Sequence, residues 1–182
     1  YTRAGIPLIE IVTKPTIRSG AAAAAYLERL RQIFLFTEVS DAKMEEGSMR
    51  CDVNVSIRPY GSEKFGTRTE IKNLNSISNV QKAIEFEVAR QEKVLISGGE
   101  VLQETRRYDE DSKETVVMRA KGDAVDYKYY PEPNILPIRL NHQWVEGIIE
   151  RIPEMPESRV ARYINEYKIP KTDALILVQT KE

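Results

Sequence analysis

The feature that most limits what this chain can fold into is the alternation in Ser48–Arg58 (SMRCDVNVSIR). Successive side chains of an extended chain point to opposite sides. Met49, Cys51, Val53, Val55 and Ile57 therefore share one face, and Ser48, Arg50, Asp52, Asn54, Ser56 and Arg58 the other. Such a strand needs a core on its apolar side and a partner beside it. Pro59-Tyr60-Gly61-Ser62 supplies a turn. Gly66–Asn73 (GTRTEIKN) supplies the partner, with Thr67, Thr69, Ile71 and Asn73 on one face and Arg68, Glu70 and Lys72 on the other. If the register allows, Arg50, Asp52, Asn54, Arg68, Glu70 and Lys72 are offered to one region. These mixed charges have two readings. They are solvated cross-strand pairs worth about 0.2–1 kcal/mol each, or they hold a metal and a phosphate-bearing ligand. Cys51, on the apolar face, reads as a small buried hydrophobe rather than a nucleophile.

The other elements are set around this pair. Pro7–Val12 (PLIEIV) reads as a short strand, with Glu10 either a surface residue of an edge strand or a carboxylate in a site. Ser19 is a good N-cap for a helix to about Phe36, with Tyr26, Leu27, Leu30, Ile33 and Phe34 toward the core. Ser76–Ser97 is a second helix whose stripe is Ile77, Val80, Ile84, Val88 and Leu95, stopped by Gly98-Gly99. Val101–Tyr108 and Thr115–Arg119 flank the turn Asp109–Lys113 as a hairpin. Asp126–Pro133 is irregular and aromatic-rich, and Ile135–Leu140 reads as a last strand. Short helices then follow over Gln143–Arg151 and Glu157–Tyr167, and Thr172–Glu182 reads as an unfinished one. The change of character places a boundary near Asn141–His142, giving segments 1–141 and 142–182.

Composition removes several function classes. In 182 residues, 27 Lys+Arg against 28 Asp+Glu rule out a uniformly basic nucleic-acid binder, though not a local basic patch. One Cys excludes an internal disulfide or a Cys-rich zinc site and fits a reducing compartment; the expected location is the cytoplasm, or an organellar matrix if the source is eukaryotic. One His leaves a single Cys51–His142 pair, which would join a core-facing thiol to a linker. No apolar run nears the roughly 18–20 residues that span a bilayer. The start at Tyr1 and the open end suggest a piece of a longer protein.

No Gly-rich phosphate loop, dinucleotide fingerprint, zinc-protease helix or nucleophile elbow is present. What remains is oxygen chemistry: Glu10, Glu45, Glu46, Asp52 and Glu70 beside Arg50, Lys72 and Asn73. Hard cations such as Mg²⁺ take carboxylate and water oxygens, and adjacent Arg and Lys suit a ligand that brings phosphates. Metal-assisted phosphoryl transfer fits this pattern, and so does a polar-faced sheet without catalysis.

The segments RAGIPLIEIV (Arg3–Val12), VSDAKMEEGSMRCDVNVSIRPYG (Val39–Gly61), FGTRTEIKNLNS (Phe65–Ser76), SGGEVLQETRRYDE (Ser97–Glu110) and DYKYYPEPNILP (Asp126–Pro137) together resemble the B-subunit family of the aspartyl/glutamyl-tRNA amidotransferases. MEEGS, RCD-N and EIKNLNS are the most specific blocks. Thr13–Ala25 departs from the more acidic form expected there. The resemblance implies an α+β fold: a glutamine-synthetase-like cradle with an antiparallel sheet and packing helices, then the start of a helical domain. It also implies an upstream segment with a Glu and a His near the kinase site, and a tRNA-holding tail.

The implied activity is ATP- and Mg²⁺-dependent amidation of Glu-tRNA(Gln) or Asp-tRNA(Asn) through an acyl phosphate. The ammonia comes from glutamine hydrolysed on the A subunit, and the small C subunit is the third member of the complex. On this chain the resemblance assigns metal ligation to Glu10, Asp52 and Glu70, catalysis to Arg50, Lys72 and Asn73, and nucleotide binding to Arg50, Asn54, Arg68 and Lys72. Arg106 and Tyr130 are expected to line the site or its ammonia approach. The alternative is a non-catalytic domain that grips tRNA or another protein of the complex.

Overall fold

The computed structural model describes residues 5–120 and 136–181. The elements run α1 (Gly20–Thr37), β1 (Val53–Val55), β2 (Thr69–Lys72), α2 (Ile77–Ile96), β3 (Glu104–Asp109), β4 (Glu114–Ala120), α3 (His142–Ile149), α4 (Pro156–Tyr167) and α5 (Lys171–Leu177). The four strands form one sheet in the order β1-β2-β3-β4. This is an α+β fold. The sheet is mixed, not antiparallel as expected: β1·β2 and β3·β4 are antiparallel, but β2 and β3 run parallel. The reason is the connection. A parallel pair needs a long crossover, and the 20-residue α2 lies between β2 and β3.

Both long helices begin where expected. Ser19 Oγ accepts from Ala22 N and Ser76 Oγ from Asn79 N, each at 3.1 Å, which satisfies donors that the first helical turn leaves free. α2 lies against β1 and β4, and α1 packs on α2. At that contact Gly20 is required, since a Cβ there would sit 2.7 Å from Gln81 O. Leu27, Met49, Val55, Ile71, Val80 and Ile84 are at the centre of the core, and Tyr26 and Phe34 pack against it.

The α2 stripe differs from the one read in the sequence. Its buried residues are Val80, Ala83, Ile84, Glu87 and Gln91, while Val88 and Leu95 are exposed. The Ser48–Arg58 alternation persists beyond the short β1: Met49 and Val55 are buried, Cys51 and Val53 half-buried, and Arg50, Asp52 and Asn54 exposed. The ladder stops at Val55↔Thr69 because Ile57 N donates to the Gln91 side chain instead (3.2 Å). Just beyond, Gly66 passes so close to Ile57 that a Cβ would lie 2.1 Å from its carbonyl oxygen.

Among the described residues, three further expectations are not met. Pro7–Val12 forms no strand there, and Leu8 and Val12 are exposed. Residues 136–140 are likewise unpaired. The last helix is finished at Leu177 rather than running on to Glu182. The first two segments have strand propensity, but without a ladder partner an isolated apolar strand gains nothing. Helices α3–α5 follow from Asn141, whose side chain caps α3. α4 returns to α1 through the Arg29–Glu157 pair (2.8 Å) and the Arg159 guanidinium, 4.9 Å from the centre of the buried Phe36 ring. No described helix is long and apolar enough to cross a membrane.

Candidate functional site

The candidate site is the outer face of the sheet, opposite α2, where several of the expected residues lie. Register places Asn54 directly across from Glu70, and Val53 across from Ile71. The apolar partners go to the core, so their neighbours in sequence go outward. Lys72 Nζ lies 2.5 Å from Asp52 Oδ2 and 3.3 Å from Glu70 Oε1. The hydrogen bond to Asp52 comes first among the influences that hold the Lys72 ammonium above its ordinary pKa; partial burial opposes it and Glu70 adds to it. Thr105, on β3, donates to Glu70 Oε2 at 3.0 Å. Arg107 is the register partner of Lys72 on the same face and pairs with Asp109 at 3.0 Å.

The remaining expected site residues fall at different places. Arg50, before β1, and Arg68, next to the start of β2, are exposed. Asn73, which ends β2, is exposed and has φ 60°, a left-handed conformation that Asn tolerates better than most residues. Its presence there has this backbone reason besides any catalytic one. Glu10 lies on the exposed, unpaired Pro7–Val12 segment. Among the described residues no three acidic, His or Cys side chains gather as a metal-binding group, so Glu10, Asp52 and Glu70 do not form a triad. Tyr130 lies outside the described residues.

Arg106 lies on the opposite side of the sheet from Lys72 and Glu70. It does not open onto the outer face; it belongs to a buried polar layer between α2 and the sheet. Its Nε donates to Thr115 Oγ1 (2.9 Å) and its Nη2 to Thr115 O (2.6 Å), with Glu104 beside its Nη1. Glu87 is fully buried. One of its oxygens accepts from Arg90 (2.7 Å) and Gln91 (2.8 Å), the other from Arg90 Nε (3.0 Å) and Thr115 (2.8 Å). Burial pushes the Glu87 carboxyl up, but the hydrogen bonds from Arg90, Gln91 and Thr115 outweigh it and hold it below the usual value. Gln91, equally buried, also donates to Val55 O (3.1 Å) and Thr69 Oγ1 (3.3 Å).

Sequence reasoning missed this layer, Thr105 and Arg107. The spacing 80-84-87-91 was the available signal: it is one helical face, and reading it through to its polar members would have put Glu87 and Gln91 inside. Thr105 and Arg107 share a face by alternation, but their place beside Glu70 and Lys72 needed the parallel pairing. Cys51 and His142 are not a nucleophilic pair. Burial, with the Asp52 charge adding, pushes the Cys51 thiol up to about 11, while His142 is exposed at the start of α3, 3.2 Å from Glu146.

Asp52 and Glu70 already hold an ammonium between them. A place that stabilises a cation between two carboxylates has the donors a hard divalent ion takes when water and phosphate oxygens fill the rest of its shell. The two carboxylates are thus donors of the type that Mg²⁺ takes, with Lys72 lying between them. Residues 1–146 match the family described as the GatB/GatE catalytic domain. The chain belongs to this family. Its relatives include proteins named as the B subunit of aspartyl/glutamyl-tRNA(Asn/Gln) amidotransferase. That of Ligilactobacillus salivarius is 58% identical over 180 residues and that of Staphylococcus aureus 55% over 180, each covering 99% of this chain. That of Oceanobacillus iheyensis is 54% identical over all 182. The chain spans 38% of the length of each of these relatives. The GatB/GatE match ends at residue 146, a few residues into α3.

Proposed function

We propose that the outer face of this sheet is the ATP-dependent activation site of a tRNA-dependent amidotransferase, and that the chain supplies it as part of the B subunit. The observation that carries the reading is the meeting of Asp52, just before β1, with Lys72 and Glu70 of β2, in a GatB/GatE catalytic domain. The substrate is Glu-tRNA(Gln) or Asp-tRNA(Asn). A side-chain carboxylate is a poor acyl donor because its leaving group would be oxide. Its oxygen attacks the γ-phosphorus of ATP, the bond to the β-phosphate oxygen breaks, and ADP leaves. Ammonia, released from glutamine on the A subunit, then attacks the acyl carbon; the carbon–oxygen bond to phosphate breaks, phosphate leaves, and loss of a proton gives the amide. The C subunit is the remaining member of the assembly.

Asp52 and Glu70 are the oxygen donors for Mg²⁺, which when bound shields the repulsion between carboxylate and γ-phosphate. Arg50, Lys72 and Asn73 hold the transferred phosphoryl group, and Arg50, Asn54, Arg68 and Lys72 the nucleotide. Rigid strands hold such groups more accurately than loops. Glu10, on its separate segment, is a further candidate ligand. The test uses the complete amidotransferase with Asp52→Asn, Glu70→Gln or Glu10→Ala. ATP-dependent phosphorylation of Glu-tRNA is expected to fall by about 10²-fold for the first two, with glutaminase activity kept. Unchanged phosphorylation in both overturns the site.

A further inference from the structure

The two faces of the sheet are linked residue by residue. Thr69, bonded to Gln91 from beneath, precedes Glu70 in the chain. Val55, whose carbonyl accepts from Gln91, follows Asn54. Arg106, held through Thr115 against Glu87, follows Thr105, the donor to Glu70. Alternation makes this systematic: a group pinned on the core face fixes neighbours that project outward. Gln91 also accepts from Ile57 N, so one amide holds β1 at two backbone atoms where its ladder to β2 ends. We propose that Gln91 and Glu87 of α2 are positioning residues for the outer-face site, setting the spacing of Asp52, Lys72 and Glu70 through the strands. This rests on the function proposed above.

An apolar α2 face would pack the sheet without fixing how far β1 slides against β2. Hydrogen bonds to Val55 O, Ile57 N and Thr69 Oγ1 are directional and do fix it. Among the described residues, Lys72 pairs on the outer face with Asp52 and Glu70, and Arg107 is its register neighbour. A small slip of β1 therefore withdraws Asp52 and leaves the ammonium less held.

The test uses the complete amidotransferase and two readouts. The first, without metal or ATP, is the pH profile of Lys72 acylation by an amine-reactive reagent, followed by mass spectrometry. The second is the Mg²⁺ concentration that half-saturates phosphorylation of Glu-tRNA. Gln91→Met and Thr69→Val are expected to raise Lys72 acylation at pH 8 about fivefold and the Mg²⁺ requirement about tenfold, equivalent to about 1.4 kcal/mol. Thr69→Ser, which keeps the hydroxyl, restores both. Thr69→Val is nearly isosteric and keeps the inference testable if Gln91→Met fails to fold. Wild-type acylation and Mg²⁺ dependence in folded Thr69→Val overturn it. If Asp52→Asn also leaves phosphorylation intact, the activation site itself is wrong; if Asp52→Asn abolishes it while Thr69→Val does nothing, only the positioning role is lost.

Discussion

The two faces of the sheet carry similar chemistry to different ends. Toward α2, Glu87, Gln91, Glu104, Arg106 and Thr115 are buried, and the Glu87 carboxylate and Arg106 guanidinium are each held by several protein hydrogen bonds. Away from α2, Asp52, Lys72 and Glu70 form a looser chain that opens at the Asp52 end, with Asp52 49% and Glu70 17% exposed. The difference is solvent. A buried charge has to be satisfied by the protein itself, so its partners are fixed and it stays closed to ligands. An exposed pair is only weakly held, so its oxygens can exchange an ammonium for another cation. Polar residues on a sheet thus become scaffold or site according to which face receives a helix.

The largest effect that would break this contrast is on the buried side. Glu87→Leu leaves Arg90 and Arg106 with a lost carboxylate and is expected to lower the stability of the intact protein by about 3–5 kcal/mol in denaturant unfolding. The contribution of Glu87 depends on pH. Its folded pKa is depressed, so its stabilisation is complete above the unfolded value of about 4.3 and is lost as pH falls through the folded one. The stability gap between wild type and Glu87→Gln should accordingly narrow on acidification below about pH 4.

A smaller effect comes from Ser76→Ala, which removes the α2 cap. It is expected to cost about 1 kcal/mol in the same unfolding measurement, without changing Lys72 acylation. The smallest is Asp52→Asn on stability. An exposed ion pair is worth about 0.2–1 kcal/mol, so its unfolding midpoint should barely move although the activity is expected to collapse. A large stability loss there would mean that the outer face is scaffold as well.

Much of this was legible beforehand, and the exceptions have physical causes. The alternation in Ser48–Arg58 and Gly66–Asn73 fixed which side chains face outward, because one face had to be buried, and the observed Asn54↔Glu70 register puts them in one row. The caps at Ser19 and Ser76 were readable since their side chains act within a turn of the chain. Pro7–Val12 misled because local propensity says nothing about whether a ladder partner exists. Arg106 and Arg107 are adjacent, and only tertiary pairing decides which one goes inward. Glu87 and Gln91 share a helical face with Val80 and Ile84, so their inward position was readable from spacing; the groups that satisfy them, on β1, β2 and β4, become visible only with the tertiary pairing.

The most direct measurement is anomalous diffraction from the complete amidotransferase crystallised with Mn²⁺ and a non-hydrolysable ATP analogue. A manganese peak bonded to Asp52 and Glu70 oxygens at about 2.0–2.3 Å, with the Lys72 ammonium displaced toward the phosphates, is the expected result. A nucleotide-bound manganese held elsewhere, with Lys72 still bridging the two carboxylates, would contradict the account.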